Sequence, residues 1–395
     1  MNSNTISILI AGDVVPTPAN EQLFATGDIE ALVGAEILEL FDQSDISTIN
    51  LECPITTHED RIEKQGPNLK ASPQSIEGIR KLNPTIIGLA NNHILDYGEE
   101  GLGDTRRILE KFQFSYVGVG DNLEDAASSI QVVVLKEKRI GFYACAEHEF
   151  SIATDTTAGA NPFDPLTTGD TILKLKSDHA LDNLVVLFHG GKEYYQYPSP
   201  GLQRMCRHLV EKGADLVVCQ HSHCIGAHER YLDGDIVYGQ GNFVFDTKNP
   251  LSVESLLISY TVDDGGTSSI DFLPIRRHLD GSGTVSLAQG ADAESILTAF
   301  QKRSEEIEQP GFIEKNYAAF AKKLLPNYLY GFSPFGKWMS RIDRHIFKGR
   351  IIRRLYPKKK LLAIQNYIEY EAHWEVVKNG LLQGITIEEK KLSIV

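Results

Sequence analysis

Leu216-Val217-Val218-Cys219-Gln220-His221-Ser222-His223 is an apolar run that stops abruptly on two histidines. A short continuous apolar run bounded by polar residues reads as a strand buried on both faces. In an extended segment, residues two apart point to the same side. His221 and His223 are therefore expected to converge on one point from a single strand end. Imidazole is the commonest protein ligand for transition metals. Taken alone, the pair reads equally well as two histidines that cap a strand by hydrogen bonds.

The same habit recurs through the first 245 or so residues. Ile6 to Ile10 leads to Gly12-Asp13, Ile46 to Ile49 to Asn50-Leu51-Glu52, and Thr85 to Leu89 to Asn91-Asn92-His93. Leu184 to Phe188 leads to His189-Gly190-Gly191, and Ile236 to Tyr238 to Gly239-Gln240-Gly241-Asn242. Between these runs, Gln74 to Leu82, Glu100 to Phe112 and Gly201 to Lys212 carry apolar residues at helical spacing. Pro73 and Pro200 stand where helices begin, and Gly213 where one stops. Strand, polar turn, helix, strand is the grammar of an α/β layer fold, in which ligands gather beyond the carboxyl ends of the strands. Ile130 to Leu135 with Ile140 to Tyr143, and Leu256 to Val262 with Ser269 to Leu273, read as hairpins, the second turning at Asp263-Asp264-Gly265-Gly266.

Each polar strand end has an ordinary reading: Asp13 as a turn residue, Glu52 as a solvated carboxylate, Asn91-Asn92 as a turn signal, His189 before a tight glycine turn. Their joint occurrence at successive strand ends is what those readings explain badly. Asp13, Glu52, Asn92, His189, His221 and His223 together make a mixed oxygen and nitrogen donor set. Such a set suits one or two divalent transition ions (Mn, Zn or Fe) better than calcium. Glu52 can bridge two ions, and His93 is placed to protonate a leaving group.

Composition sets the outer bounds. The chain has 395 residues, 42% of them hydrophobic and 23% charged, ordinary for a globular protein, and a formal net charge of −14. That charge argues against general nucleic-acid binding, where a basic face supplies most of the affinity. Met1 to Ile10 lacks the charged and apolar regions of a signal peptide, and no stretch approaches about 18 uninterrupted apolar residues. Five irregularly spaced cysteines suit free buried thiols better than a disulfide framework. The expectation is a cytoplasmic protein.

After Gly290 the character changes. Ala293 to Glu308 and Ile313 to Leu325 read as helices, Ser333-Pro334-Phe335-Gly336 as a hinge, and Tyr367 to Lys378 as a final helix. Residues 337–360 crowd Lys and Arg against one acid, Asp343, and interleave them with Ile342, Ile346, Ile351, Ile352 and Leu355. This reads as a basic amphipathic segment that can bind an anionic membrane surface or an acidic partner, or as a solvated helix face. Two regions are expected: a main domain over 1–290 and a helical extension over 291–395.

Six ordered motifs carry a family resemblance: Gly12-Asp13; Asn50-Leu51-Glu52-Cys53-Pro54; Leu89 to His93 with Asp96-Tyr97-Gly98; His189-Gly190-Gly191 with Glu193-Tyr194; Gln220 to His223; and Tyr238 to Asp246. Over about Ile6 to Asp246 the chain resembles the CapA capsule-synthesis family, associated with making or exporting poly-gamma-glutamate. That resemblance implies an α/β fold, a layered α/β/β/α sandwich like that of calcineurin-like metallophosphoesterases, with a helical carboxyl-terminal extension. It further implies Asp13, Glu52, Asn92, His189, His221 and His223 as metal ligands, His93 as the general acid, and Asn91, Glu193, Tyr194 and Asn242 around the substrate. The implied partners are an anionic polymer or capsule precursor and, through residues 337–360, membrane-bound synthase or export subunits at the inner face of the membrane. Two departures stand out. Phosphoesterases usually have histidine two residues after the first aspartate, where this chain has Val15, and the family's usual His-Trp-Gly is His189-Gly190-Gly191 here. A metallophosphoesterase acting on a small phosphate ester, and a non-catalytic polymer-binding subunit, are the alternatives.

Overall fold

The structure is a computed structural model that describes residues 5–263 and 265–392, with side chains through 381. Met1 to Asn4, and Asp264 of the expected turn, lie outside the described residues. The chain divides into two compact units, Met1–Glu314 and Lys315–Val395.

Among the described residues of the first unit, two large sheets form. In the sheet of eight, the parallel strands Ile6–Val14, Ile46–Leu51, Ile86–Gly88 and Ser115–Val117 lie side by side. The antiparallel strands Glu254–Val262, Ser268–Arg277 and Val285–Leu287 extend one edge, and Asn242–Val244 pairs parallel with the end of the first strand. The sheet of six has parallel Lys138–Ala146, Asn183–His189, Leu216–Gln220 and Gly234–Val237 at its centre. Antiparallel Ile130–Leu135 and His228–Tyr231 form its edges.

The alternation along Leu216–Gln220 shows why its apolar run is continuous. Leu216 and Val218 join the core between the two sheets, where they meet Ile10, Ile49 and Ile87. Val217 and Cys219 face the other way, into a second core with Ile172, Leu202 and Leu209 of the helices Thr168–Asp178 and Pro200–Glu211. Each face of the strand meets apolar neighbours, so Leu216 to Cys219 carry no polar side chain between them. Helices Glu21–Thr26, Ala35–Gln43, Ile76–Leu82 and Gly98–Lys111 add Phe24, Phe41, Ile79 and Leu102 to the first core. The result is the layered α/β/β/α sandwich. Helix Pro200–Glu211 starts as its sequence dictates: Ser199 Oγ accepts from Leu202 N at 3.0 Å, and proline occupies the first turn, where no N–H partner is needed.

Three expectations are corrected. The first unit runs to Glu314 rather than 290, because helix Gly290–Ile307 packs Ile296 and Phe300 against Ile225, Leu256 and Phe272. Arg303 Nε of that helix also donates to the Gly226 carbonyl at 2.7 Å. The histidine pair is not extended: the strand stops at Gln220, and His221 and His223 have φ of 84° and 53°. The single final helix is two, Lys358–Glu369 and Glu371–Leu392, interrupted where Tyr370 turns extended. All five cysteines are buried and free, as expected, and Cys206 Sγ lies 3.5 Å from Cys219 Sγ.

Within the second unit, the part of helix Phe312–Gly331 beyond Glu314 meets helices Lys337–His345 and Arg350–Leu355 around Leu329, Tyr330 and Ile352. The expected hinge at Ser333 to Gly336 separates the first two.

Candidate metal centre

The carboxyl ends of the parallel strands of both sheets open on one place. Asp13 comes from Ile6–Val14, Glu52 follows Ile46–Leu51, and Asn92 and His93 follow Ile86–Gly88. His189 ends Asn183–His189, and His221 and His223 follow Leu216–Gln220. The two left-handed backbone positions bring the histidine rings to 5.8 Å between centroids, with the His189 ring 4.9 Å from His221. Positive φ is costly for a residue with a Cβ, and such strain persists where the surrounding structure enforces it.

Two groups of ligand atoms lie within 4.8 Å of one another: Glu52, His189 and His221 in one, Asp13, Glu52 and His223 in the other. Glu52 belongs to both. The Asn92 side-chain oxygen lies 3.0 Å from His189 Nε2 and extends the first group. Val15 adds nothing to the second, since it is buried in the core between the sheets and its N–H donates to the Val244 carbonyl at 2.8 Å.

The electrostatics of this cluster fit a cation. Glu52 is fully buried, and neither of its oxygens accepts a well-aligned hydrogen bond, although His189 Nε2 stands 3.3 Å from Oε1. Burial, with Asp13 beside it, pushes the Glu52 carboxyl up to about 8, against the pull of His223 and His93. Burying two carboxylates together without a counter-charge is costly. Burial also lowers His189 to about 4, and it holds His221 well below its ordinary range, with His189 and His223 adding to the effect. Both rings are thus neutral, the form that ligates a metal. His221 Nδ1 is buried without a partner. For His223, burial is outweighed by Glu52, Asp13 and the hydrogen bond to Asn242, and the net shift is upward.

Several side chains brace the ligands. Asn242 Oδ1 lies 2.8 Å from His223 Nδ1, and its strand places it in register with Asp13. Asn50, whose role the sequence reading missed, donates from Nδ2 to Asp13 Oδ1 at 2.7 Å and lies 3.3 Å from His189 Nδ1. Asn91, expected beside the substrate, is fully buried next to Asn50. Its amide donates to Asn50 Oδ1 and the Leu51 carbonyl, and its oxygen accepts from His93 N at 3.1 Å. His93 places Nδ1 2.6 Å from Asp96 Oδ2 and 3.2 Å from Lys64 Nζ, and Lys64 also pairs with Asp96.

At the rim, Glu193 is half-exposed, 3.9 Å from Lys192, and the Tyr194 ring lies 5.7 Å from that of His223. A second residue missed in the sequence, Glu149, accepts from Asn92 Nδ2 at 2.9 Å and lies 3.8 Å from His221 Nε2. Its signal was present: Lys138–Ala146 is another buried strand that ends in acids, Glu147-His148-Glu149. Glu147 accounts for Gly190. Its carboxylate accepts from Gly191 N at 3.1 Å, and a Cβ at position 190 would stand 2.7 Å from Glu147 Cγ. The acid fills the space that a larger residue at 190 would need.

The chain is 31% identical over 239 residues to the capsule biosynthesis protein CapA of Bacillus anthracis, a match covering 59% of this chain and 58% of that one. It is 31% identical over 243 residues to the PGA biosynthesis protein CapA of Bacillus subtilis, covering 60% and 63%. The match thus spans less than two thirds of either relative. Among solved structures, a 5'-nucleotidase precursor from Thermus thermophilus aligns with 81% of this chain and 59% of its own at 14% identity and a TM-score of 0.43. Residues 7–247, which hold every ligand and brace described above, match the family of the bacterial capsule synthesis protein PGA_cap, and the chain belongs to that family.

Proposed function

We propose that this chain acts in the production of an anionic capsule polymer of the polyglutamate type as a metal-dependent hydrolase. The observation that carries the reading is Glu52, buried, unsatisfied and shared by two groups of imidazoles and carboxylates. Glu52, His189, His221 and Asn92 would hold one divalent transition ion (Mn, Zn or Fe), and Asp13, Glu52 and His223 a second. An ion bound there would supply Lewis acidity toward an amide or phosphate-ester substrate and acidify water.

The chain's own residues do the rest. Asp96 accepts from His93 Nδ1 and so supports the doubly protonated ring, whose Nε2–H gives its proton to the leaving group and leaves the neutral imidazole. Asn242 and Asn50 orient His223 and His189. Glu193 and Tyr194 line the approach. No helix among the described residues is long and apolar enough to cross a membrane. Work on the cytoplasmic side, at the inner face of the membrane where polymer is made, is part of the proposal.

The test is hydrolysis of gamma-glutamyl oligomers and of a generic aryl phosphate by protein reconstituted with Mn, Zn or Fe. Turnover of the oligomers that falls at least a hundredfold in His93→Ala, with metal content unchanged, is expected. Turnover of the phosphate alone moves the substrate to small phosphate esters. Polymer binding without turnover of either compound makes the chain a binding subunit and ends the hydrolase reading.

A further inference from the structure

The second unit carries a surface that the metal centre does not explain. Over residues 315–360 there are thirteen Lys and Arg and one acid, Asp343. That acid is not available to balance them. It is buried, and its oxygens accept from Ile351 N at 3.0 Å, Ile352 N at 2.8 Å and the Tyr330 hydroxyl at 3.0 Å. The one acid of this segment therefore does not neutralise the cations around it.

Large apolar side chains are exposed among these cations. On and just beyond helix Lys337–His345, Trp338 is 81% exposed, Ile346 68% and Met339 54%, with Ile342 and Phe347 also open. Helical spacing puts Trp338, Met339, Ile342 and Ile346 on one face. Lys337, Arg341 and Arg344 recur at intervals of four and three residues on the helix flank next to Trp338, and Lys348 follows beyond the helix end. Exposed apolar patches of this kind mark an interaction surface.

We propose that this face of the second unit docks on an anionic lipid membrane, Trp338, Met339, Ile342 and Ile346 entering the headgroup boundary and the cationic stripe lying over lipid phosphates. The apolar row chooses among polyanions. A soluble acidic polymer satisfies the cations but leaves Trp338 and Ile346 in water, whereas a bilayer interface takes both chemistries. Tryptophan favours that interface, having an apolar body and one polar tip. The proposal is independent of the hydrolase reading.

The experiment is co-sedimentation of the full chain with phosphatidylcholine vesicles, with and without one third phosphatidylglycerol, at low and high salt. Trp374→Phe leaves Trp338 as the single tryptophan, which is excited selectively over the tyrosines at long wavelength. Binding to phosphatidylglycerol vesicles alone, weakened by salt and accompanied by a blue shift of Trp338 emission, is expected. Each neutralised cation should weaken binding about fivefold, so Arg341→Gln, Arg344→Gln and Lys348→Gln together should weaken it about a hundredfold. Trp338→Ser with Met339→Ser should weaken it with little change in its salt dependence. These positions are exposed, and circular dichroism is the check that each variant keeps its helix content. No binding to anionic vesicles by the parent chain overturns the proposal. So does vesicle binding unchanged by the serine pair, or polyglutamate binding that displaces the vesicles without loss on serine substitution.

Discussion

Glu52 shows at the scale of one residue how a buried charge without a partner points to a ligand. A carboxylate deep in a core is tolerated when a cation or several donors meet it. Here no aligned donor meets it, and Asp13 adds a second negative charge. Glu52→Gln removes the ionisable group at nearly constant shape. In metal-free protein at neutral pH it is expected to raise stability by about 1–2 kcal/mol, because the fold no longer has to protonate or bury an ionised carboxyl there, and to abolish the stabilisation that added metal gives. Denaturant melts with and without metal check both halves. A metal-free variant less stable than the parent would mean that Glu52 is satisfied within the fold. Gly190 makes a related point: glycine stands there because Glu147 occupies the room beside it, a reason invisible in the local sequence.

Among the elements, helix Arg350–Leu355 depends on a side chain from the helix before it. Asp343 accepts the N–H groups of Ile351 and Ile352, which have no intrahelical partner in the first turn. Burial alone would raise the Asp343 carboxyl, but those N–H groups and the Tyr330 hydroxyl hold it below its ordinary value. A depressed carboxylate contributes stability that is present above its unfolded value and lost as pH falls through the folded one. The second unit should therefore hold its structure down to about pH 4 and loosen in stronger acid. Asp343→Ala, which strands three donors, should cost about 1–3 kcal/mol at neutral pH and remove this acid dependence. Both tryptophans, Trp338 and Trp374, lie beyond residue 315, so their emission follows this unit specifically. An unchanged acid midpoint in the variant would count against the role given to Asp343. The same scale shows where local reading misled. An apolar run ending in His-Ser-His reads as a strand continuing through the pair, yet the backbone turns left-handed at both histidines.

For the molecule as a whole, the candidate ligands come from strand ends in both sheets, so a bound ion ties the two sheets together at one edge. Ligand that binds the native state alone stabilises it by about 4 kcal/mol at a thousandfold excess over the dissociation constant. Added Mn, Zn or Fe should raise the melting temperature of the first unit, and chelation should return it. His221→Ala with His223→Ala should flatten that response. If metal raises the melting temperature of the double variant as far as that of the parent, the centre lies elsewhere.

Much of this was legible in order along the chain. Apolar runs of strand length that end in Asp13, Glu52, Asn92, His189 and His221 mark the strands, the layer fold and the edge where the ligands gather. Two-sided burial and the carboxyl-end rule act on local sequence. Asn50, Asn91 and Lys64 were not legible in that way, since their roles depend on partners as many as 139 residues distant, as between Asn50 and His189. The sequence by itself determined which residues can ligate and which strands carry them. Only the tertiary structure decided that Glu52 is shared, that Asn91 is a brace and that Asp343 is spent inside its own unit. Those facts are distances between side chains that the chain brings together only when two sheets close over one core.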